Sequence, residues 1–157
     1  MTQENDDLIT FKEKMADNHS KEVRSMNMSH IRSTNSKPEE IVRKYLFSQG
    51  FRYRKNVKKL PGCPDIVLPK YHTVIFVNGC FWHRHPGCKR ATLPKSNAEF
   101  WRQKLEKNVA RDRRNIQTLK DLGWYVLIIW ECELKDTMTL QARLSDFFEN
   151  HDDYLLP

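Results

Sequence analysis

Apolar residues recur along this chain in two rhythms, a three-to-four-residue spacing and short unbroken runs, and their alternation predicts the elements. In "SKPEEIVRKYLFSQG" (residues 36–50), Ile41, Val42, Tyr45 and Leu46 share one helical face. Ser36 and Glu39 form a capping box at its start, Pro38 suits the first turn, and Gly50 ends it. "DIVLP" and "TVIFV", separated by the turn-like "KYH", predict two paired strands. A long helix follows, opened by a second capping box at Ser96 and Glu99, closed by Gly123, and carrying Leu105, Val109, Ile116 and Leu119 on its core stripe. "WYVLIIW" is too short for a helix and rich in β-branched residues, which predicts a central strand. A last amphipathic helix runs from Leu140 to Phe148. The order helix, strand, strand, helix, strand, helix implies a small mixed sheet flanked by helices, an α/β sandwich.

Residues 1–22 lack this periodicity and are expected to form a flexible arm, leaving 23–157 as a single domain. No apolar stretch reaches the roughly 18 residues of a membrane span, and the N-terminus "MTQENDDLITFKEK" is acidic where a signal peptide is basic and then apolar. A cytoplasmic, monomeric protein without a membrane partner is expected. In that compartment Cys63, Cys80, Cys88 and Cys132 stay reduced, which favours metal ligation or burial over disulfides.

Charge adds a partner. The formal net charge is +7, but residues 37–120 hold 20 basic against 6 acidic side chains, and residues 121–157 hold 2 against 8. A strongly basic middle interleaved with Trp, Phe and Tyr suits a nucleic acid, since Lys and Arg on phosphates release condensed counterions. A solvated charged face is the other reading.

Three constellations carry candidate chemistry. Asp112 interrupts the apolar stripe of the long helix, and a carboxylate there is costly unless paired or bound to metal. His85 and Cys88 stand three apart and Cys132 ends the last strand, so with Asp112 they suit a closed zinc site. Cys80 and His83 compete as ligands, and two buried cysteines with unrelated histidines would need no metal. Asp65, in "LPGCPDIVLP", is delivered by a Pro-Gly turn to the start of a strand, where a hard carboxylate in a basic domain suits Mg²⁺ beside a phosphodiester. It could equally be ordinary turn chemistry. Phe81, Trp82, Phe100 and Trp101 can pack in the core or, exposed, stack on bases.

The segments "LPGCPDIVLPKYHTVIFVNGCFWHRHPGC", "EFWRQKLEKNVARDRRNIQTLKDLGWYVLIIWEC" and "RSMNMSHIRSTNSKPE" together resemble the very-short-patch repair (Vsr) DNA mismatch endonucleases, over about residues 24–134. The resemblance implies a restriction-endonuclease-like α/β fold and a bacterial, Mg²⁺-dependent nick 5′ to the thymine of a thymine–guanine mismatch left by deaminated 5-methylcytosine. By position, Asp65 resembles the metal-binding aspartate, with the backbone carbonyl of Val77 as a second contact. His83 resembles the general base and Glu39 a supporting acid. His85, Cys88, Asp112 and Cys132 are matched to structural zinc ligands, which leaves Cys80 as a buried thiol. Phe81, Trp82 and Trp101 resemble intercalating aromatics, with Met28 of the arm entering from the opposite groove. The family suggests double-stranded mismatched DNA as partner, contact with mismatch-repair proteins and a link to a cytosine methyltransferase system. Asn78 stands where a histidine often assists catalysis; it can hydrogen-bond but cannot carry a proton at neutral pH. A nuclease of the same fold with another sequence- or methylation-specific target remains an alternative. So does a zinc-stabilised DNA-binding module without catalysis.

Overall fold

The computed structural model of the protein describes residues 20–31 and 33–151. Residues 1–19 of the expected arm lie outside the described residues, and helix α1 (Lys21–Ser29) begins directly after them, capped by the Ser20 side chain. Helix α2 (Lys37–Ser48) carries the full Ser36–Glu39 capping box, with Pro38 in its first turn. Val42 and Leu46 are wholly buried on it, whereas Ile41, expected on the same face, is 46% exposed.

Among the described residues, four strands make one sheet in the order β1-β2-β3-β4, namely β1 (Arg54–Lys55), β2 (Ile66–Leu68), β3 (Thr73–Asn78) and β4 (Tyr125–Trp130). The first three pair antiparallel, and β4 runs parallel to β3 with Thr73 opposite Tyr125 and Asn78 opposite Trp130. Between β2 and β3, a single 3-10 turn at Pro69–Tyr71 ends on His72 in the left-handed conformation and reverses the chain. β4 therefore lies at the end of the sheet and not at its centre. Its apolar run still fits, because both of its faces are covered and the Arg143 guanidinium donates to the Ile128 carbonyl at 3.0 Å. The short strand β1 had no apolar signal, since Arg54 and Lys55 are both exposed.

Helix α3 (Ala98–Asp121) lies on one face of the sheet, and helices α2 and α4 (Thr137–Glu149) lie on the other. Alternation along the strands divides their side chains accordingly. Ile66, Leu68, Ile75, Leu127 and Ile129 pack with Val42, Leu46, Leu140 and Leu144, while Val67 and Val74 pack with Leu119 of α3. The α3 N-terminus departs from expectation. Asn97, in the left-handed region, precedes it without a side-chain cap, and Glu99 is drawn instead to Arg102 and Gln103 at 2.7 Å each. A neighbouring arginine offers a charge-assisted bond stronger than a neutral backbone donor. Among the described residues no helix is long and apolar enough to cross a membrane.

The turn before β2 seats its glycine against α3. Gly62 has φ +75°, and a Cβ there would meet Asn115 at 3.1 Å and Phe76 at 3.2 Å. Gly62→Ala is therefore expected to cost about 1–3 kcal/mol through combined strain and crowding. Urea denaturation measures it, and an unchanged midpoint would contradict the packing described.

Candidate active site and metal cluster

The C-terminal end of β3 is where side chains with chemistry converge. A cavity of about 530 Å³ opens there, lined by Glu39, Asp65, Asn78, His83 and Asp112 among others. Asp65 immediately precedes β2, and the antiparallel register brings it to the end of β3, where the Val77 N–H donates to its Oδ2 at 2.8 Å. Burial pushes the Asp65 carboxyl up to about 6, the Val77 N–H opposes that, and the nearby Glu39 carboxylate adds to the rise. Glu39 is buried, and its oxygens accept from Asn35 N–H at 2.8 Å, Ser36 Oγ at 2.9 Å and Arg43 Nη2 at 3.0 Å. Asn78 is buried at the end of β3 on the same cavity.

His83 sits in a compact loop, residues 79–88. Its own N–H donates to the Gly79 carbonyl and that of His85 to the Cys80 carbonyl, with Arg84 at φ 50° between them. The His83 Nδ1 lies 2.5 Å from Asp112 Oδ2, and Arg111 Nη2 lies 3.2 Å from the other carboxylate oxygen. Burial works to raise the Asp112 carboxyl, but the bonds from His83 and Arg111 outweigh it and hold it below the usual range. An ionised Asp112 can only accept, so the facing Nδ1 of His83 carries a proton, and in the neutral imidazole Nε2 is then the acceptor.

Of the four residues expected as zinc ligands, His85, Cys88 and Cys132 are brought together, but Asp112 is engaged with His83 instead. Cys80, expected as a plain buried thiol, takes the vacant place. The ligand atoms of Cys80, His85, Cys88 and Cys132 all lie within 4.8 Å of one another, compact enough to hold one metal ion. Cys132 Sγ and Cys80 Sγ lie 3.3 and 3.5 Å from His85 Nδ1, and the His85 ring stacks on Trp130 at 4.2 Å. Burial pushes the Cys80 thiol up, whereas the Arg90 N–H pulls the Cys88 thiol down. Thiolate ligation by Cys80 would thus be coupled to arrival of the cation, the usual linkage of metal binding to proton release.

The aromatic residues form a partly exposed cluster. Phe81, Trp82 and Trp101 meet edge to face at 5.2–5.9 Å, Phe100 joins at 5.4 Å, and Lys104 Nζ hangs over Trp101 at 5.5 Å. Met28, on α1, is exposed away from the core. Three further cavity residues, Asn108, Arg111 and Asn115, escaped the sequence reading. Their spacing with Asp112 on one face of α3 was the available signal. Asn108 also donates to the Trp82 carbonyl at 3.2 Å and so anchors the loop to the helix.

The raised carboxyl has a measurable consequence. Folding shifts Asp65 ionisation from 3.8 to about 6, so the folded form favours the protonated acid. Its contribution is fully present below pH of about 4 and is lost as pH rises to about 6. Asp65→Asn, which cannot ionise, should gain stability relative to the unsubstituted protein across that window in Mg²⁺-free buffer. Thermal denaturation against pH checks this, and an offset constant from acid to neutral pH would contradict it.

A sequence profile described as DNA mismatch endonuclease Vsr matches residues 16–90. Over 131 residues the chain is 49% identical to the type II nicking enzyme V.NmeAIP of Neisseria meningitidis serogroup A, covering 83% of this chain and 93% of that one. It is 47% identical over 135 residues to the type II nicking enzyme V.XorIIP of Xanthomonas oryzae, covering 86% and 98%. It is 46% identical over 121 residues to the DNA mismatch endonuclease Vsr of Escherichia coli, covering 77% of each. With identities of this size across most of each chain, the protein belongs to the Vsr family of DNA mismatch endonucleases.

Proposed function

We propose that the protein is a Mg²⁺-dependent, zinc-stabilised endonuclease of restriction-endonuclease-like fold that nicks duplex DNA 5′ to the thymine of a thymine–guanine mismatch. The single observation that carries the chemistry is the pairing of His83 with Asp112 on the cavity that also holds Asp65. An imidazole with its Nδ1 proton committed to a carboxylate has Nε2 free to take a proton from an attacking water. Asp65, with the Val77 carbonyl, would hold Mg²⁺, and the ion when bound supplies charge that stabilises the developing phosphorane oxygens. Glu39 supports that acid centre. Asn78 offers an amide that orients a water or a phosphate oxygen without exchanging a proton.

Zinc is the metal assigned to the cluster of Cys80, His85, Cys88 and Cys132, because three thiolates and an imidazole are a soft, closed donor set. Asp112 is thereby moved from ligand to partner of the general base. The aromatic cluster and the basic residues of α3 suit DNA. Phe81, Trp82 and Trp101 would wedge between base pairs at the mismatch, where stacking is already weakened, while Lys and Arg neutralise phosphates. Met28 would approach from the other groove. The names of the relatives as nicking enzymes support a cut in one strand.

Nicking of thymine–guanine duplexes in varied flanking sequences, with matched duplexes as controls, tests this reading. Asp65→Ala and His83→Ala should each lower kcat by about 10²- to 10⁴-fold. Asp112→Asn should lower it by about 10- to 100-fold, as expected for a group that orients another. Full nicking by Asp65→Ala would overturn the mechanism, and equal cleavage of matched duplexes would replace the mismatch with another target.

A further inference from the structure

Behind the acid centre lies a buried cation that the chemistry above does not use. Arg43 of α2 is 4% exposed, far inside the range where an arginine needs partners. Its Nη1 donates to Asn35 Oδ1 at 2.8 Å. Its Nη2 lies against Glu39 Oε2 at 3.0 Å, the Asp65 carbonyl at 2.9 Å and Asn56 Oδ1 at 3.3 Å. The Asp65 carbonyl also accepts the Asn56 N–H at 3.3 Å, and Asn56 Nδ2 reaches Asn35 Oδ1 at 3.3 Å. Both asparagines hold left-handed backbones, Asn35 at φ 55° and Asn56 at φ 47°. One guanidinium thus ties together the turn before α2, the first turn of α2, the residue after β1 and the residue before β2.

This knot is a poor stability device. A buried ion pair generally returns little more than its desolvation cost, and a well-packed apolar side chain of similar volume does as well or better. Arg43 also leaves its Nε without a hydrogen-bond partner among the described residues. Its position explains it better than its energy. The Glu39 and Asp65 side chains line one cavity, where two carboxylates in low dielectric repel each other unless a cation stands by. Arg43 meets Glu39 through the carboxylate and Asp65 through the main-chain carbonyl, so it counters the repulsion without occupying either Asp65 carboxylate oxygen.

We infer that Arg43 is the positioning residue of the acid centre, holding the Glu39 carboxylate and the Asp65 backbone in one fixed relation so that the Asp65 carboxylate is preorganised for a divalent cation. The inference rests on the reading of Asp65 as the cation-binding aspartate. Arginine suits the role because its planar fork reaches several acceptors at once, which the point charge of lysine cannot do.

The test uses the full chain, zinc-loaded, with Arg43→Met, Arg43→Lys, Asn56→Ala and Asp65→Ala. Mn²⁺ binding without DNA is followed by quenching of tryptophan fluorescence, since Trp82 lines the same cavity. Nicking of a thymine–guanine duplex supplies kcat and KM, and thermal melting reports the fold. Arg43→Met should weaken Mn²⁺ binding by about tenfold and lower kcat by about 100-fold with KM nearly unchanged, the pattern of a misplaced group. Arg43→Lys should recover no more than about a tenth of the lost kcat. Asn56→Ala, which keeps the charge but removes one tether, should fall between Arg43→Met and the unsubstituted protein.

A folded Arg43→Met that binds Mn²⁺ and nicks within about twofold of the unsubstituted protein overturns the inference. If Arg43→Met does not fold, Arg43→Lys and Asn56→Ala decide, and wild-type Mn²⁺ binding and kcat in both overturn it. Should the unsubstituted protein nick no mismatched duplex, the substrate reading falls while the Mn²⁺ titration still decides the role of Arg43. If Asp65→Ala and the unsubstituted protein quench alike, no cation sits at Asp65 and the inference falls with it.

Discussion

Strands β3 and β4 run parallel with Asn78 opposite Trp130, and the chemistry of the protein collects where that register ends. Two residues beyond each strand end stands a cysteine, Cys80 and Cys132, so a single pairing register sets two sulfurs of the Cys/His cluster together despite their distance in sequence. The antiparallel partner β2 contributes from the other side. Because Ile66 pairs with Ile75, the residue before it, Asp65, arrives at the Val77 N–H. A slip of one residue between β3 and β4 would misplace Cys132 and turn Leu127 and Ile129 away from the core they fill. Burial of those two side chains therefore secures the site as well as the sheet.

Within residues 79–88 the tight backbone sends neighbouring side chains in three directions. Cys80 and His85 turn to the metal cluster, Phe81 and Trp82 to Trp101, and His83 to Asp112. Helix α3 braces the loop at two points, through Asn108 on the Trp82 carbonyl and through Asp112 on His83. A metal in the cluster would brace it at a third, since His85 follows His83 by two residues. Preorganisation of this kind is what a reacting group needs if it is to meet a bound phosphodiester in a fixed geometry.

Local physics made helices α2, α3 and α4 and the paired strands β2 and β3 legible, but not helix α1, for which no apolar period was read. The Ser36–Glu39 capping box and the apolar runs of β2 and β3 depend on neighbours in sequence, and they stand where expected. What could not be read depends on long-range choices. The stripe of α3 showed that Asp112 points inward, but helical spacing fixes a face and not a partner, and two partner types, metal and imidazole, satisfied the same cost. Its true neighbour was decided by the path of the 79–88 loop. Cys80 was discounted for the same reason, since nothing nearby in sequence shows that β4 delivers Cys132 beside it. The apolar run of β4 signalled coverage on both faces, which its end-of-sheet position also meets because α4 and the Arg143 bond shield it. The second capping box failed where Arg102 offered Glu99 a stronger partner than the backbone.

The central proposal is a division of labour: the ends of β3 and β4 build a Cys/His cluster that would hold zinc through Cys80, while Asp112 pairs with His83. Metal analysis by mass spectrometry, after dialysis against a chelator that leaves the unsubstituted protein loaded, tests it directly on Cys80→Ser and Asp112→Asn. The account predicts that Cys80→Ser loses its zinc and Asp112→Asn keeps one ion per chain. Loss of zinc from Asp112→Asn with retention in Cys80→Ser would contradict it.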